Sequence, residues 1–157
     1  MKIKLLVIGK TDDRSLVELI EDYQKRLHSY VKFQIEVIPS IKNAKKMPIL
    51  QQKEKEGKQI LAKLKSTDQV VLLDEKGQEF NSVAFAHFLQ KKMNTGIKQW
   101  VLVVGGPYGF SESVYKRATE KVSLSKMTFS HQMVRLFLLE QLYRGFTILN
   151  NEPYHHL

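Results

Sequence analysis

Three short segments carry the residue types from which a small-molecule site could be built. Residues 105–109 form a glycine-rich turn, and glycines let a backbone approach a ligand and present amide N–H groups to it. Residues 74–77 (Asp-Glu-Lys-Gly) follow Leu73, and residues 123–131 alternate small hydroxyl side chains with apolar ones. These segments favour binding of a ligand whose polar groups meet backbone while its apolar part is covered by side chains.

Each segment also has a purely structural interpretation. The glycine turn lacks the Gly-Lys-Ser/Thr ending of a P-loop and does not fit the Gly-x-Gly-x-x-Gly dinucleotide pattern, so it could be a simple tight turn. The hydroxyls of residues 123–131 could cap the helix that follows. The same segment could instead hold an adenine, with Leu124, Met127 and Phe129 covering the faces of the ring.

Ionisable side chains form a second group nearer the C-terminal end of the sequence. Glu140 and Arg144 are four residues apart in an apolar stretch, so in a helix they would form an ion pair on one face. Charges on so apolar a helix are costly to bury without a role, which favours a pocket wall or a subunit interface. Tyr154, His155 and His156 follow, and such a histidine pair is more often a frayed end or a weak metal binder than a catalytic element.

Short apolar runs alternate with longer stretches of helical period, which predicts an α/β fold with a mostly parallel sheet flanked by helices. Strands are predicted at Lys2–Ile8, Lys32–Ile38, residues 69–73 and residues 100–104. The last two runs lack polar alternation, so we expect them to be central strands covered on both faces. Ligands bind beyond the carboxyl ends of such strands, where residues 74–77 and 105–109 stand.

Five stretches have the spacing of helices. They are residues 16–27, 48–64, 82–93, 111–119 and 133–149. Asp12 or Asp13 can cap the first, and Gly57 weakens the second, in which residues 53–56 resemble a solvated charged turn. The last stretch is apolar enough to be buried nearly all round. Residues 39–47 read as a basic loop, and without linkers or repeats residues 1–157 are expected to form a single domain.

Composition limits the classes of function. The chain of 157 residues has 25 Lys and Arg against 16 Asp and Glu, a net charge of +9 that favours an RNA or DNA partner, although a basic charge can also simply aid solubility. It has no cysteine, which excludes disulfides and thiolate chemistry and fits a cytoplasmic location. No apolar run approaches the roughly 20 residues of a membrane span. No spacing of histidines and carboxylates matches a metal site, so neither membrane nor metal is expected.

Taken in order, the residues of these segments resemble the SPOUT (α/β-knot) methyltransferases, and the resemblance covers essentially the whole chain. It is carried by Leu73-Asp74 with Lys76-Gly77, Val104-Gly105-Gly106-Pro107 with Gly109, Ser123-Leu124-Ser125-Lys126-Met127-Thr128 with His131, Arg135, Glu140-Gln141-Leu142-Tyr143-Arg144, and Pro153-Tyr154-His155. Within the family, the similarity is to enzymes that methylate N3 of a pseudouridine in 23S ribosomal RNA.

The resemblance implies a fold, a cofactor and partners. The fold would end in a C-terminal trefoil knot, and S-adenosylmethionine would be the cofactor, without a metal. The implied cofactor contacts are Leu73, Gly105, Gly106, Leu124, Ser125, Lys126, Met127, Thr128 and Phe129. The implied partners are 23S rRNA, within the large subunit or the assembled ribosome, and a second copy of the chain. In such a homodimer the RNA base enters between the cofactor of one subunit and the surface and tail of the other.

The implied reaction sets a chemical requirement. N3 of a uracil-type base carries a proton, so either a base or a strongly anion-stabilising site must help it leave. The candidate catalytic residues are His155, Tyr154 and Arg144, with Glu140 beside Arg144. Arg144 could also hold the oxyanion that develops on a neighbouring carbonyl.

Two other functions remain open on the residues alone. One is a non-catalytic, basic RNA-binding or ribosome-associated protein on the same α/β scaffold, because a fold does not fix a function. The other is a nucleotide-binding enzyme that uses the glycine turn for ATP or NAD. Binding of S-adenosylmethionine separates both from a methyltransferase.

Overall fold

A five-stranded sheet organises the computed structural model, which describes residues 1–156. The strands are β1 (Lys2–Ile8), β2 (Lys32–Ile38), β3 (Gln69–Glu79), β4 (Gln99–Val104) and β5 (Glu120–Ser123). Neighbouring strands all run parallel, in the order β2-β1-β4-β3-β5. The predicted α/β fold is therefore confirmed, and the two runs without polar alternation, in β3 and β4, are interior strands as expected.

Five α-helices cover the two faces of the sheet. They are α1 (Arg14–Leu27), α2 (Ile49–Ala62), α3 (Ser82–Asn94), α4 (Glu112–Arg117) and α5 (Met133–Leu149), with a short 3-10 turn at Ala44–Lys46 in the basic loop. Helices α1, α3 and α5 pack on the face of the sheet that carries Ile3, Leu5 and Val7. Helices α2 and α4 pack on the face that carries Leu6 and Ile8.

Local sequence explains how the helices begin and cross. Asp13, rather than Asp12, caps α1 by accepting a hydrogen bond from the amide of Leu16 at 2.9 Å. Helix α2 continues through Gly57 although glycine is a poor helix former. A β-carbon at Gly57 would lie 2.2 Å from the hydroxyl oxygen of Ser111, so glycine lets α2 pack against the first turn of α4.

The edge strand β5 is absent from the sequence prediction. Its four residues include Glu120 and Lys121, so no apolar run marks it. It pairs with β3 on both sides of a register shift between Leu73 and Gln78. Residues 74–77 therefore lie in an irregular part of a strand that is longer than predicted, and not in a loop beyond its end.

Helix α5 differs from the expectation that it is buried nearly all round. Leu138, Leu139 and Leu142 are buried between the sheet and its neighbouring helices, whereas Met133 and Phe137 are 39% and 40% exposed. The reason is geometric, because α1 and α3 flank α5 but no element covers its outer face near the first turns. No helix within residues 1–156 is long and apolar enough to cross a membrane. The trefoil knot stays a prediction.

Candidate functional site

The three ligand-binding segments proposed from the sequence meet around one cavity of about 440 Å³. That volume lies within the range of roughly 300–1,000 Å³ common for small-molecule sites. Eight of the nine expected cofactor contacts line it: Leu73, Gly105, Gly106, Leu124, Ser125, Met127, Thr128 and Phe129. Lys126 is the exception, exposed on the same segment. The segments converge because β4 and β5 both pair with β3, which brings residues 105–109 and 123–129 to either side of Leu73.

The glycine turn rests on a buried carboxylate. A β-carbon at Gly106 would lie 2.6 Å from Oε2 of Glu56, so any larger residue would displace that side chain or the turn. Glu56 is 3% exposed, and its Oε1 accepts a hydrogen bond from the side-chain amide of Gln52 at 3.0 Å. The expectation of a solvated charged turn at residues 53–56 is therefore wrong for Glu56. Helical spacing could have found it, because Glu56 shares a face with Gln52 and Ile60.

The hydroxyl-rich segment caps the helix that follows and also lines the cavity, while its contact with an adenine stays a prediction. Ser130 acts as a cap, accepting hydrogen bonds from the amides of Gln132 and Met133 at 3.2 and 3.4 Å. Ser125 accepts a bond from the amide of Met127 at 2.9 Å and thereby shapes the cavity wall. The side chain of Met127 is 75% exposed, so this wall is open to solvent.

A buried arginine fixes the end of this segment to the sheet. Arg135 is 2% exposed and donates to the carbonyl oxygens of Ile8 at 2.7 Å, Gly9 at 2.9 Å and His131 at 3.2 Å. It also donates to the hydroxyl of Thr11 at 3.0 Å. Burial lowers the pKa of Arg135, but the four oxygens accept from four of its five N–H donors. The sequence reasoning assigned Arg135 no role, and nothing local shows that three of its four partners lie more than 120 residues away.

A tyrosine–aspartate pair lies at the rim of the cavity. The hydroxyl of Tyr115 donates to the carboxylate of Asp74, whose other oxygen accepts from the amide of Lys76 at 2.8 Å. Burial and this hydrogen bond raise the pKa of Tyr115 to about 12, so it is protonated at neutral pH. Within residues 1–156, no three acidic or histidine side chains converge as a metal site would require.

The four predicted catalytic residues form a separate cluster, which we call the tail cluster: Glu140, Arg144, Tyr154 and His155. Arg144 and the hydroxyl of Tyr154 both donate to Oε1 of Glu140, through Nε and Oη at 3.1 Å each. The guanidinium lies 4.7 Å above the ring of Tyr154, and its Nη1 is 3.3 Å from Nδ1 of His155. The hydrogen bond to Glu140 raises the pKa of Arg144, which is a permanent cation.

Helix α1 and the turn after it hold the tail cluster in place, which the sequence reasoning missed. The chain leaves α5 through Asn151, whose φ of 55° turns the tail back along the helix. The hydroxyl of Tyr23 lies 2.9 Å from that of Tyr154, and the hydroxyl of Tyr30 donates to Glu152 at 2.5 Å. Burial, the bond to Tyr23 and the charge of Glu140 all raise the pKa of Tyr154.

The cavity and the tail cluster lie apart within one chain. Helix α5 touches the cavity near its start, at Val134, whereas none of the four cluster residues lines it. With a rise of about 1.5 Å per residue, the ten residues from Val134 to Arg144 span about 15 Å. One chain therefore keeps the cavity and the tail cluster apart.

Comparisons with known proteins agree on one family. A family model described as "Predicted SPOUT methyltransferase" matches residues 1–155. A protein of Flavobacterium johnsoniae is 67% identical over 156 residues, which cover 99% of each chain. Proteins of Parabacteroides distasonis and Bacteroides thetaiotaomicron are 63% and 54% identical over the same length, again covering 99% of each chain. All three relatives bear the name "Ribosomal RNA large subunit methyltransferase H".

Proposed function

The chain belongs to the SPOUT methyltransferase family, and we propose on that premise that it transfers the methyl group of S-adenosylmethionine to N3 of a pseudouridine in 23S ribosomal RNA. The family supports methyl transfer, and the name shared by its full-length relatives supports ribosomal RNA as the substrate. The choice of pseudouridine N3 rests on the resemblance of the motifs. We place the activity in the bacterial cytoplasm, where ribosomes are made.

The observation that carries the proposal is the cavity that gathers residues from three separate segments of the chain. Its donor set suits S-adenosylmethionine, because backbone at Gly105 and Gly106 can approach the polar part of the molecule. Leu124, Met127 and Phe129 can cover the adenine, and the volume of about 440 Å³ accommodates a ligand of this size. When bound, S-adenosylmethionine supplies a methyl group on a positively charged sulfur.

A homodimer would bring the cavity of one subunit next to the tail cluster of the other, although the two lie apart within one chain. The exposed face of α5, with Met133 and Phe137, continues into Phe129, whose ring centroid lies 5.0 Å from that of Phe137. Covering such an apolar face is a common basis for association between subunits. We propose that the tail cluster of one subunit faces the cavity of its partner, with the RNA base between them.

The residues of the chain have separable tasks in this arrangement. The cavity positions the methyl donor, and positioning is a large part of catalysis in an in-line displacement. The tail cluster receives the base and favours the loss of its N3 proton. The net charge of +9 attracts the phosphate backbone of the rRNA.

Mass mapping of nucleosides in 23S rRNA tests the proposed function directly. We expect rRNA from cells without the gene to lack one methyl group on one pseudouridine, and the purified protein to restore it with S-adenosylmethionine. Unchanged rRNA masses would refute the substrate assignment. If calorimetry also showed no binding of S-adenosylmethionine, the non-catalytic RNA-binding function would replace the methyltransferase.

A further inference from the structure

The hydrogen bonds of the tail cluster distinguish two ways in which the pseudouridine could lose its N3 proton. One way uses a side chain of the cluster as a general base. The other stabilises the N3 anion and leaves the proton to solvent. The two differ in whether the groups that face the substrate are hydrogen-bond acceptors or donors.

The contact between Arg144 and His155 assigns the protons of the imidazole. An arginine can only donate, so Nδ1 of His155, 3.3 Å from Nη1, must accept. A neutral imidazole carries one N–H, which then lies on Nε2. Protonation of Nδ1 would set two donors against each other. His155 therefore presents a donor on its free edge, whereas a general base needs an acceptor there.

The other members of the cluster are also occupied as acceptors or kept protonated. Oε1 of Glu140 accepts from Arg144 and Tyr154, and Oε2 accepts from the side-chain amide of Gln141 at 2.7 Å. The hydroxyl of Tyr154 keeps its proton and uses it in the hydrogen bond that it donates to Glu140. Its raised pKa keeps it from ionising near neutral pH.

Several charged and titratable groups surround the contact between Arg144 and His155. The groups packed against Arg144 and His155 are Glu140 on α5, Tyr154 on the tail and Tyr23 on α1. Further out, Arg26 stacks over Tyr23 with its guanidinium carbon 5.4 Å from the ring centroid, and Glu152 is bonded to Tyr30. Glu140 offsets the charge of Arg144, and Asp22 pairs with Arg26 at 3.0 Å, so the donor character of the cluster comes from its hydrogen-bond geometry and not from a net positive charge.

We propose that Arg144 and Nε2–H of His155 bind the pseudouridine as its N3 anion, donating to the carbonyl oxygens on either side of N3, and that no side chain of the cluster takes the proton. The N3 proton passes to hydroxide or water. The N3 lone pair then forms the bond to the methyl carbon while the carbon–sulfur bond breaks, and its electron pair stays on sulfur. This inference rests on the proposed function and deepens it.

A pair of substitutions at His155 tests the inference. His155→Gln keeps an N–H donor near the position of Nε2 but has no basic group, whereas His155→Ala removes the donor. We expect His155→Ala to lower single-turnover methylation about 100-fold, the usual effect of losing one anion-stabilising donor, and His155→Gln to retain at least about a tenth of the wild-type rate. The exposed His28→Ala is the matched control. Equal losses in Gln and Ala variants that still bind S-adenosylmethionine normally would overturn the inference.

The pH dependence gives an independent readout. If the substrate loses its proton to solvent, the wild-type rate rises with pH well beyond neutrality, and Arg144→Lys moves this rise to higher pH because the anion is stabilised less. If His155 is a base, the rate instead levels off by neutral pH, and the inference fails. Ribosomes from cells without the gene serve as substrate. Methylation by the wild-type protein tests the proposed function separately from this inference.

Discussion

The cavity and the tail cluster are built from the chain in different ways. The cavity is lined by Gly105, Gly106 and residues of the segment 123–129, so its geometry depends on segments anchored to the sheet. The tail cluster consists of side chains, each held by hydrogen bonds to residues from other elements. We infer that adding atoms to the cavity lowers its affinity for a ligand. Removing hydrogen-bond donors from the tail cluster should instead lower turnover.

The largest expected effect comes from removing the central donor of the tail cluster. Arg144→Ala should lower turnover about 1,000-fold, because the loss of an anion-stabilising donor has effects of up to this order. Affinity for S-adenosylmethionine, measured by calorimetry, should stay unchanged. Arg14→Ala is the matched control, since Arg14 also pairs with a glutamate four residues away but is exposed. A lower affinity of Arg144→Ala for S-adenosylmethionine would show that the tail cluster and the cavity do not act independently.

The second prediction concerns the addition of a methyl group to the wall of the cavity. Gly106→Ala forces a methyl group against Glu56, and we expect overpacking to weaken S-adenosylmethionine binding roughly 10- to 100-fold. Turnover at saturating cofactor should change less. Glu56→Asp, which shortens the opposing side chain, should restore part of the affinity in the double variant. If it restores none, contact with Glu56 is not what requires glycine here.

A smaller effect is expected where α1 supports the tail cluster. Tyr23→Phe removes one hydrogen bond to Tyr154 and should lower turnover about fivefold, the equivalent of about 1 kcal/mol. A cycle with Tyr23→Phe, Tyr154→Phe and the double variant measures the coupling between the two hydroxyls. Additive losses would show that the hydroxyls act independently, and α1 would then have no part in positioning the tail.

The smallest effect concerns the pKa of two tyrosines, Tyr30 beside the tail and Tyr115 at the rim of the cavity. The pKa of both Tyr30 and Tyr115 is raised from 10 to about 12, at Tyr30 mainly by its bond to Glu152 and at Tyr115 mainly by burial. Their folded-state pKa exceeds the unfolded value, so each contributes stability that is complete below pH 10 and lost as pH rises toward 12. Glu152→Gln should lower the pKa of Tyr30 alone, as phenolate absorbance would report. A shift at Tyr115 would contradict this assignment.

Sequence predicted the cavity better than the tail cluster, for a physical reason. Strand periodicity and glycine are local signals, and the strand-end rule places residues 105–109 next to a ligand whatever the rest of the chain does. The residues of the tail cluster were named through family resemblance, while their support by Tyr23 and Tyr30 depends on contacts across more than 120 residues. No periodicity encodes such contacts.

The failed predictions have the same origin. Strand β5 has no apolar run, because an edge strand of four residues needs only one buried face. Glu56 looked solvated because charged residues surround it, yet its side chain points under the glycine turn. Helix α5 looked fully buried because its composition is apolar, whereas one face stays open in the single chain.

The bonds from Arg135 to the carbonyls of Ile8 and Gly9 have a consequence for how the protein is made. They join residues 127 and 126 positions apart, so the first strand cannot acquire these partners until α5 has been synthesised. Such non-local contacts slow folding, and the first strand keeps apolar surface uncovered until α5 packs against it. During synthesis, the carboxyl end of the first strand therefore stays without these hydrogen bonds until nearly the whole chain has been made.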